Sequence, residues 1–273
     1  MLSGYTESLV IFLGVNMLMA MSVYLPTSAG LISLGQGGFM AIGAYTSAML
    51  TRNDCPFVVA VMAGGLLAAL IGALVAAPAV RIRGIYLIIA TLGFGEIVRV
   101  FFVNFDPAGG ASGLSGIRPL TTVPWVAGTC VLVALVLWRL KTTPLGRAFA
   151  AVHEDEVAAE AMGINLLRTK LKAFAGGAFI AGVAGGLFAH YALFIDPSQF
   201  GFPRSAEAFL YVVLGGSGNP FGPLVGATVV TLLPELLRFA QDWRMSFFAV
   251  LLIVCAIWRP GGLISAGSQP RVS

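Results

Sequence analysis

The chain has 273 residues, of which 58% are hydrophobic and only 10% charged, and its formal net charge is +4. Its mean hydropathy is +0.92, and a soluble domain carries about 25% charged residues, so the composition excludes an ordinary soluble domain, and no basic nucleic-acid patch is visible. Backbone groups in lipid must be satisfied internally, by helices or by a closed barrel, and the apolar runs here are long and unalternated, which removes the barrel.

In chain order the candidate membrane spans are 8–25, 28–50, 57–79, 84–104, 123–140, 172–195, 204–216, 221–238 and 245–259. The expected fold is therefore an all-α polytopic membrane protein of about 8–9 transmembrane helices, one domain over residues 1–273. The first run is too long for a signal h-region and lacks a basic n-region, so it reads as a retained span. The seventh run is too short to cross upright and stops at Gly215-Gly216-Ser217-Gly218-Asn219-Pro220. It reads as a half-helix or re-entrant element, which a membrane tolerates only where it is covered by protein or faces water.

Orientation follows from the basic residues. With the loop of Arg139, Lys141, Arg147, Arg168, Lys170 and Lys172 in the cytoplasm, alternation puts Arg81, Arg83, Arg259 and Arg271 inside too, ten of the 16 Lys and Arg. Arg52, Arg118, Arg204, Arg238 and Arg244 then fall outside or at the outer edge, and Arg99 lies within a span. This asymmetry fits the positive-inside rule. Nine spans place the N-terminus outside and the C-terminus inside; eight spans would break that agreement.

Small residues recur at four-residue spacing in two spans, Gly64, Ala68, Gly72, Ala76 and Gly177, Ala181, Gly185, Ala189. Each is a smooth stripe that admits a neighbouring helix closely, either as static packing or as a sliding surface. Cys55, Cys130 and Cys255 show no ligand spacing, and no metal site is expected. Two spans share Glu-x-x-Arg, at Glu96–Arg99 and Glu235–Arg238, a short hint of internal repetition. Ionised groups at depth face a cavity or a partner. Glu96 and Arg99, one turn apart, either line a translocation pathway or tie spans together as a structural pair. Glu207 either caps the seventh element or faces a pore, and His190 is either a proton relay or a hydrogen-bonded packing residue. The breaks at Gly35, Gln36, Gly37 and at Gly215, Gly216 are candidate pathway positions, because unwound backbone at mid-depth exposes N–H and C=O groups that can hold a zwitterion; close packing is the competing explanation.

The loop over about 141–171 is the one long stretch where charge and alanine dominate. Thr143-Pro144 is a helix start. A second short helix should open near Glu154-Asp155-Glu156 and close at Gly163. Val157, Ala161 and Ile164 should share one face and Glu156 and Glu160 another, with Ala158 and Ala159 keeping the helix thin. Such a knob either docks in a groove of another protein or lies on the membrane surface.

Ala158-Ala159-x-x-x-Gly163 resembles the core of the cytoplasmic coupling loop of ABC importer permeases, with Val157 where a glutamate usually precedes the alanines and Glu156 one position earlier. Further blocks resemble the branched-chain amino acid branch of that family: Ser33-Leu34-Gly35-Gln36-Gly37 with Ala41-Ile42-Gly43-Ala44-Tyr45, then Arg81-x-Arg83-Gly84-Ile85-Tyr86 with Thr91-Leu92 and Glu96-x-x-Arg99. Glu154 to Ile164, Val213-Leu214-Gly215-Gly216 with Gly222-Pro223, and Arg259-Pro260-x-Gly262-Leu263 follow in order. The resemblance implies a non-catalytic, multi-pass permease subunit in a bacterial-type inner membrane. It would be paired with a second related permease, driven by ABC ATPase subunits that bind ATP and Mg, and fed by an extracytoplasmic substrate-binding protein. It implies ATPase-coupling roles for Glu154, Asp155, Glu156, Ala158, Ala159, Glu160 and Gly163, and import of branched-chain or related small hydrophobic amino acids; relatives in the family take urea or short amides.

The residues agree in one respect: Lys141, the only lysine followed by Thr or Ser, is preceded by Leu140, so no Walker A motif exists and no cofactor is expected on this chain. The alternative of a stand-alone ion-coupled carrier would need acids dedicated to the ion, for which only Glu96, Glu207 and Glu235 qualify.

Overall fold

The computed structural model describes residues 4–79, 82 and 84–236. Arg81, Arg83, Arg238, Arg244, Cys255, Arg259, Arg271, the Arg259-Pro260-x-Gly262-Leu263 block and the expected span 245–259 lie outside the described residues. The helices are α1 (Gly4–Thr27), α2 (Gln36–Arg52), α3 (Phe57–Ala79), α4 (Ile85–Val103), α5 (Val123–Thr142), α6 (Pro144–Glu154), α7 (Glu156–Ala161), α8 (Leu166–Ala192), α9 (Phe202–Gly215) and α10 (Gly222–Leu236). Among the described residues there is no strand, only a single antiparallel bridge between Leu114 and Ile195.

Five of these helices, α1, α3, α4, α5 and α8, are long and apolar enough to cross a membrane. Their outward faces are apolar, with Leu66, Leu70 and Leu74 in a row on α3 and Leu132, Leu135 and Val136 on α5 exposed, as a hydrocarbon solvent requires. Of the remaining five, α2, α9 and α10 are shorter helices and α6 and α7 belong to the charged loop. At 14 residues α9 is about 21 Å long against a hydrocarbon layer of about 30 Å, which agrees with the short seventh element read from the sequence.

Loop contacts sort the connections into two ends. At one end the α1–α2 turn meets α6, where Gly30 lies against the backbone of Val152 and His153, and Lys141 Nζ donates to the carbonyl of Gly218 in the α9–α10 turn at 2.9 Å. At the other end Arg118 reaches Asp54 at 2.7 Å, joining the α4–α5 and α2–α3 connections, and Leu114 exchanges backbone hydrogen bonds of 2.8 and 3.1 Å with Ile195. The long helices therefore alternate in direction, as the distribution of basic residues required.

The core is built around α8, which packs on α1, α2 and α3. The crossing of α2, α3 and α8 is backbone on backbone. Gly43 of α2 lies directly against Gly182 of α8, and a Cβ on Gly64 of α3 would sit 2.7 Å from the Gly43 carbonyl oxygen. Both small-residue stripes are covered by neighbouring helices: Gly72 faces Ala178, Gly177 faces Ser22 and Pro26 of α1, and Gly185 faces Met40, while Ala68, Ala76, Ala181 and Ala189 are fully buried. In contrast α4 stands off α3, leaving an apolar crevice of about 620 Å³ lined by Tyr45, Met49, Ile71, Val98 and Phe102 among others.

His190 is a packing residue. It is fully buried, its Nδ1 lies 2.8 Å from the carbonyl of Gly186, and its Nε2 lies 3.0 Å from Thr51 Oγ. A nitrogen facing a carbonyl must donate, so the network assigns Nε2 as the acceptor from Thr51. The ring rests edge-on against Phe57, 5.1 Å between centroids.

Candidate functional site

The charged loop folds as its capping chemistry predicts. Thr143 Oγ accepts from Gly146 N at 3.3 Å and opens α6 with Pro144 in its first turn. Asp155 breaks the helix in an extended conformation and caps α7, accepting from Val157 N at 2.8 Å and Ala158 N at 3.1 Å. Gly163 closes α7 in the left-handed region at φ 82°, where a side chain would be strained, and Ile164 N returns to the carbonyl of Ala159 at 3.0 Å. Asn165 then caps α8 by accepting from Arg168 N at 2.9 Å.

The faces of α7 differ from the expectation. Glu156 and Ala159, three residues apart, point into the bundle, and Ala159 is buried. Ala158, Glu160, Ala161 and Met162 are exposed, with Glu154 and Gly163 at the margins. The two alanines are therefore split, Ala158 outward and Ala159 inward. Val157 is 70% exposed and Met162 84%, an apolar pair at the end of the bundle that carries Lys141 and Arg168. Inward anchoring of the neighbouring α6 comes from Phe149 and Val152, both buried.

Lys170 was expected in the exposed loop and is instead 3% exposed, its Nζ 2.7 Å from Glu156 Oε1. The sequence held one signal for this, since Lys170 falls in the first turns of the helix that carries the Gly177 stripe; its partner lay 14 positions back across two turns and a cap.

A second cluster lies inside the bundle. Residues 31–35 are unwound and α2 begins only at Gln36, so the expected span 28–50 is helical over its later part alone. Unwound backbone within a membrane protein needs partners from elsewhere. Leu34 N donates to Thr91 Oγ of α4 at 3.0 Å, Gly35 N to Ser33 Oγ at 3.2 Å, and Gly37 N to Ser205 Oγ of α9 at 2.9 Å. Gly35 sits on the carbonyl of Thr91, and a Cβ on Gly37 would lie 2.6 Å from the carbonyl of Phe200. Gln36 is fully buried, and neither its amide nitrogen nor its amide oxygen has a hydrogen-bond partner among the described residues.

Glu96 and Arg99 converge on the same junction. Arg99 Nε donates to Glu96 Oε2 at 2.6 Å, with both side chains about a third exposed. Glu96 Oε1 accepts from the backbone N–H of Phe202 at 3.3 Å, and a Cβ on Gly201 would lie 3.5 Å from Arg99 Cδ. The start of α9 is thus held between the start of α2 on one side and the α4 ion pair on the other. Sequence reasoning missed Thr91, Gly201 and Ser205 as the joints, because a lone Ser or Thr in an apolar run carries no sign of what it bonds.

Gly215 and Gly216 are not part of that junction. They close the α9–α10 turn, where Gly216 has φ 97° and Gly215 abuts Gly222, at the end of the bundle where Lys141 reaches Gly218. Arg204, expected outside or at the outer edge, is largely buried. Its side chain is 11% exposed, bonds Glu207 at 3.0 Å and lies over the Phe12 ring of α1. Among the described residues no cluster of His, Cys, Asp or Glu could hold a metal ion.

A helical bundle with apolar outer faces, an unwound helix start deep inside it and short amphipathic helices at one end defines a multi-pass membrane transport protein. The family of branched-chain amino acid transport system permease components matches residues 5–256, and the chain belongs to that family. It is 36% identical over 292 aligned residues to the high-affinity branched-chain amino acid transport system permease protein LivM of Escherichia coli K12, covering 94% of this chain and 67% of that protein. A probable branched-chain amino acid transport permease protein LivM of Methanocaldococcus jannaschii is 28% identical over 238 residues, 76% of this chain and 68% of that one. The E. coli K12 permease protein LivH is 28% identical over 160 residues, 58% of this chain and 51% of its own. No solved structure matches the chain at a significant level.

Proposed function

We propose that this chain is the membrane-spanning subunit of an ATP-driven importer of branched-chain or related small hydrophobic amino acids, in a bacterial-type inner membrane. The observation that carries the reading is the outward face of α7. Val157 and Met162 are bare apolar side chains on a capped helix outside the long spans, flanked by Glu154, Ala158 and Glu160. Exposed apolar residues rimmed by charge are what a docking partner covers. With no Walker A motif on this chain, the partner is an ABC ATPase holding ATP and Mg, and α7 with Glu154, Asp155, Glu156, Ala158, Ala159, Glu160 and Gly163 is the coupling element.

Two related E. coli proteins carry the name of the same transport system, which supports pairing with a second, related permease; a binding protein outside the membrane would deliver substrate. The pathway is assigned to the junction of Gly35, Gln36, Gly37, Glu96 and Arg99. Glu96 and Arg99 stay part-exposed in the middle of α4, where lipid alone would be a costly neighbour, and Gln36 offers an unused amide. Closure of the ATPase dimer would move α7, and the attached helices would switch access. A stand-alone ion-coupled carrier finds less support, since Glu96 and Glu207 are each matched by an arginine on their own helix.

The test is reconstitution. The chain with its ATPase, second permease and binding protein is expected to accumulate labelled leucine in proteoliposomes only with ATP, and uptake by the chain alone under an ion gradient overturns the proposal.

A further inference from the structure

We propose that Lys170 is a positioning residue that locks α7 to α8, so that a push on α7 is delivered to the central helix of the bundle. The inference rests on the reading of α7 as the docking element. Two observations carry it. Lys170 is 3% exposed while its partner Glu156 is 27% exposed, at 2.7 Å; the cation is inside the protein and the carboxylate bridges from α7 to it. A buried charge whose partner is withdrawn is strongly destabilised, so the pair resists separation and α7 cannot slide on α8 without breaking it. The loop between them is short and capped at both sides, by Gly163 closing α7 and Asn165 opening α8, which leaves little slack.

The connection on the other side of α7 is different. Asp155 is extended, with φ −152° and ψ 111°, and α6 is fixed to the bundle by Phe149 and Val152. A displacement of α7 is carried to α8 through the Lys170–Glu156 pair, while on the α6 side α7 is held by the Asp155 cap. From α8 it passes to α1, α2 and α3 through the contacts at Gly177, Gly185 and Gly182. Glu156, which stands one position before the usual place of the coupling-loop glutamate, in this chain faces its own α8 rather than outward.

The experiment uses the assembled transporter in proteoliposomes, reading ATP hydrolysis, uptake of labelled leucine and the amount of ATPase subunit that co-purifies. For Lys170→Met, a residue outside the docking face, the ATPase subunit should co-purify as in wild type and hydrolysis should persist, while leucine taken up per ATP falls roughly tenfold, within the usual range of coupling between sites; Glu156→Gln should lower the same ratio. The exchanged pair Glu156→Lys with Lys170→Glu should recover a large part of the ratio, a recovery that a general packing defect would not give. Equal transport per ATP in both single variants, or no recovery in the exchanged pair, overturns the role of Lys170. If Lys170→Met fails to reach the membrane, Glu156→Gln and the exchanged pair decide alone. Failure of the docking reading looks different: a Met162→Cys variant would then give no cross-link to the ATPase subunit, whatever the state of the pair.

Discussion

The backbone N–H of Gly37 donates to Ser205 Oγ at 2.9 Å, so the first turn of α2 and the first turn of α9 are joined by one side-chain hydroxyl. The two residues are 168 positions apart, and both are buried. Replacing Ser205 by Ala removes the acceptor and leaves a buried donor unsatisfied, which costs about 1–3 kcal/mol. Ser205→Ala is expected to lower the melting temperature of the detergent-purified protein, measured by intrinsic fluorescence, whereas an unchanged melt would mean that the Gly37 N–H finds another acceptor.

Gly182 has no room for a side chain, since a Cβ there would sit 2.7 Å from Ala68 Cβ and 3.0 Å from the Gly64 carbonyl. Gly128 has nothing within 4 Å. Overpacking a tight core costs about 1–3 kcal/mol and often more where backbone is the obstacle. Gly182→Val should therefore yield aggregated protein by size exclusion, and Gly128→Ala should elute as wild type.

Val157 and Met162 touch little of their own chain. Changing either to Glu should leave the melting temperature within experimental error and weaken association with the ATPase subunit by about tenfold, the effect of losing one modest interface contact. Titration of the reconstituted permease with the ATPase subunit measures this, and unchanged affinity would separate α7 from the docking surface.

Glu96 accepts from Arg99 and from the Phe202 N–H. Glu96→Gln keeps an acceptor in place, removes the charge, and should change stability by about 1 kcal/mol or less because the pair is part-exposed. If the junction is the pathway, uptake falls at least about tenfold with the fold intact; if Glu96 only ties α4 to α9, uptake and melting temperature move together.

What was legible in the sequence was what depends on near neighbours. The five long spans follow from apolar length, and the two short helices of the charged loop follow from Thr143, Asp155 and Gly163 acting within three residues of themselves. The small-residue stripes were legible as surfaces, though only the structure assigns Gly43, Ala178 and Ser22 as what they touch. The unwound stretch 31–35 was placed too late, at the glycines, because Leu31, Ile32 and Leu34 are as apolar as a helix would be. Its hydrogen bonds come from Ser33 and from Thr91, which is 57 residues on from Leu34. The partners of the buried Lys170 and Arg204 were illegible for the same reason. A charge is assigned to solvent by default, and the partners that draw it inward are set by how helices meet.

Where α2, α3 and α8 cross at Gly43, Gly64 and Gly182 there are no side chains between the strands of backbone. Prying that joint open would expose helix backbone to hydrocarbon, with no rotamer able to swing across and cover it. The three helices are thus a keel: if the chain opens and closes, the motion has to turn on what stands off it, as α4 does across its crevice.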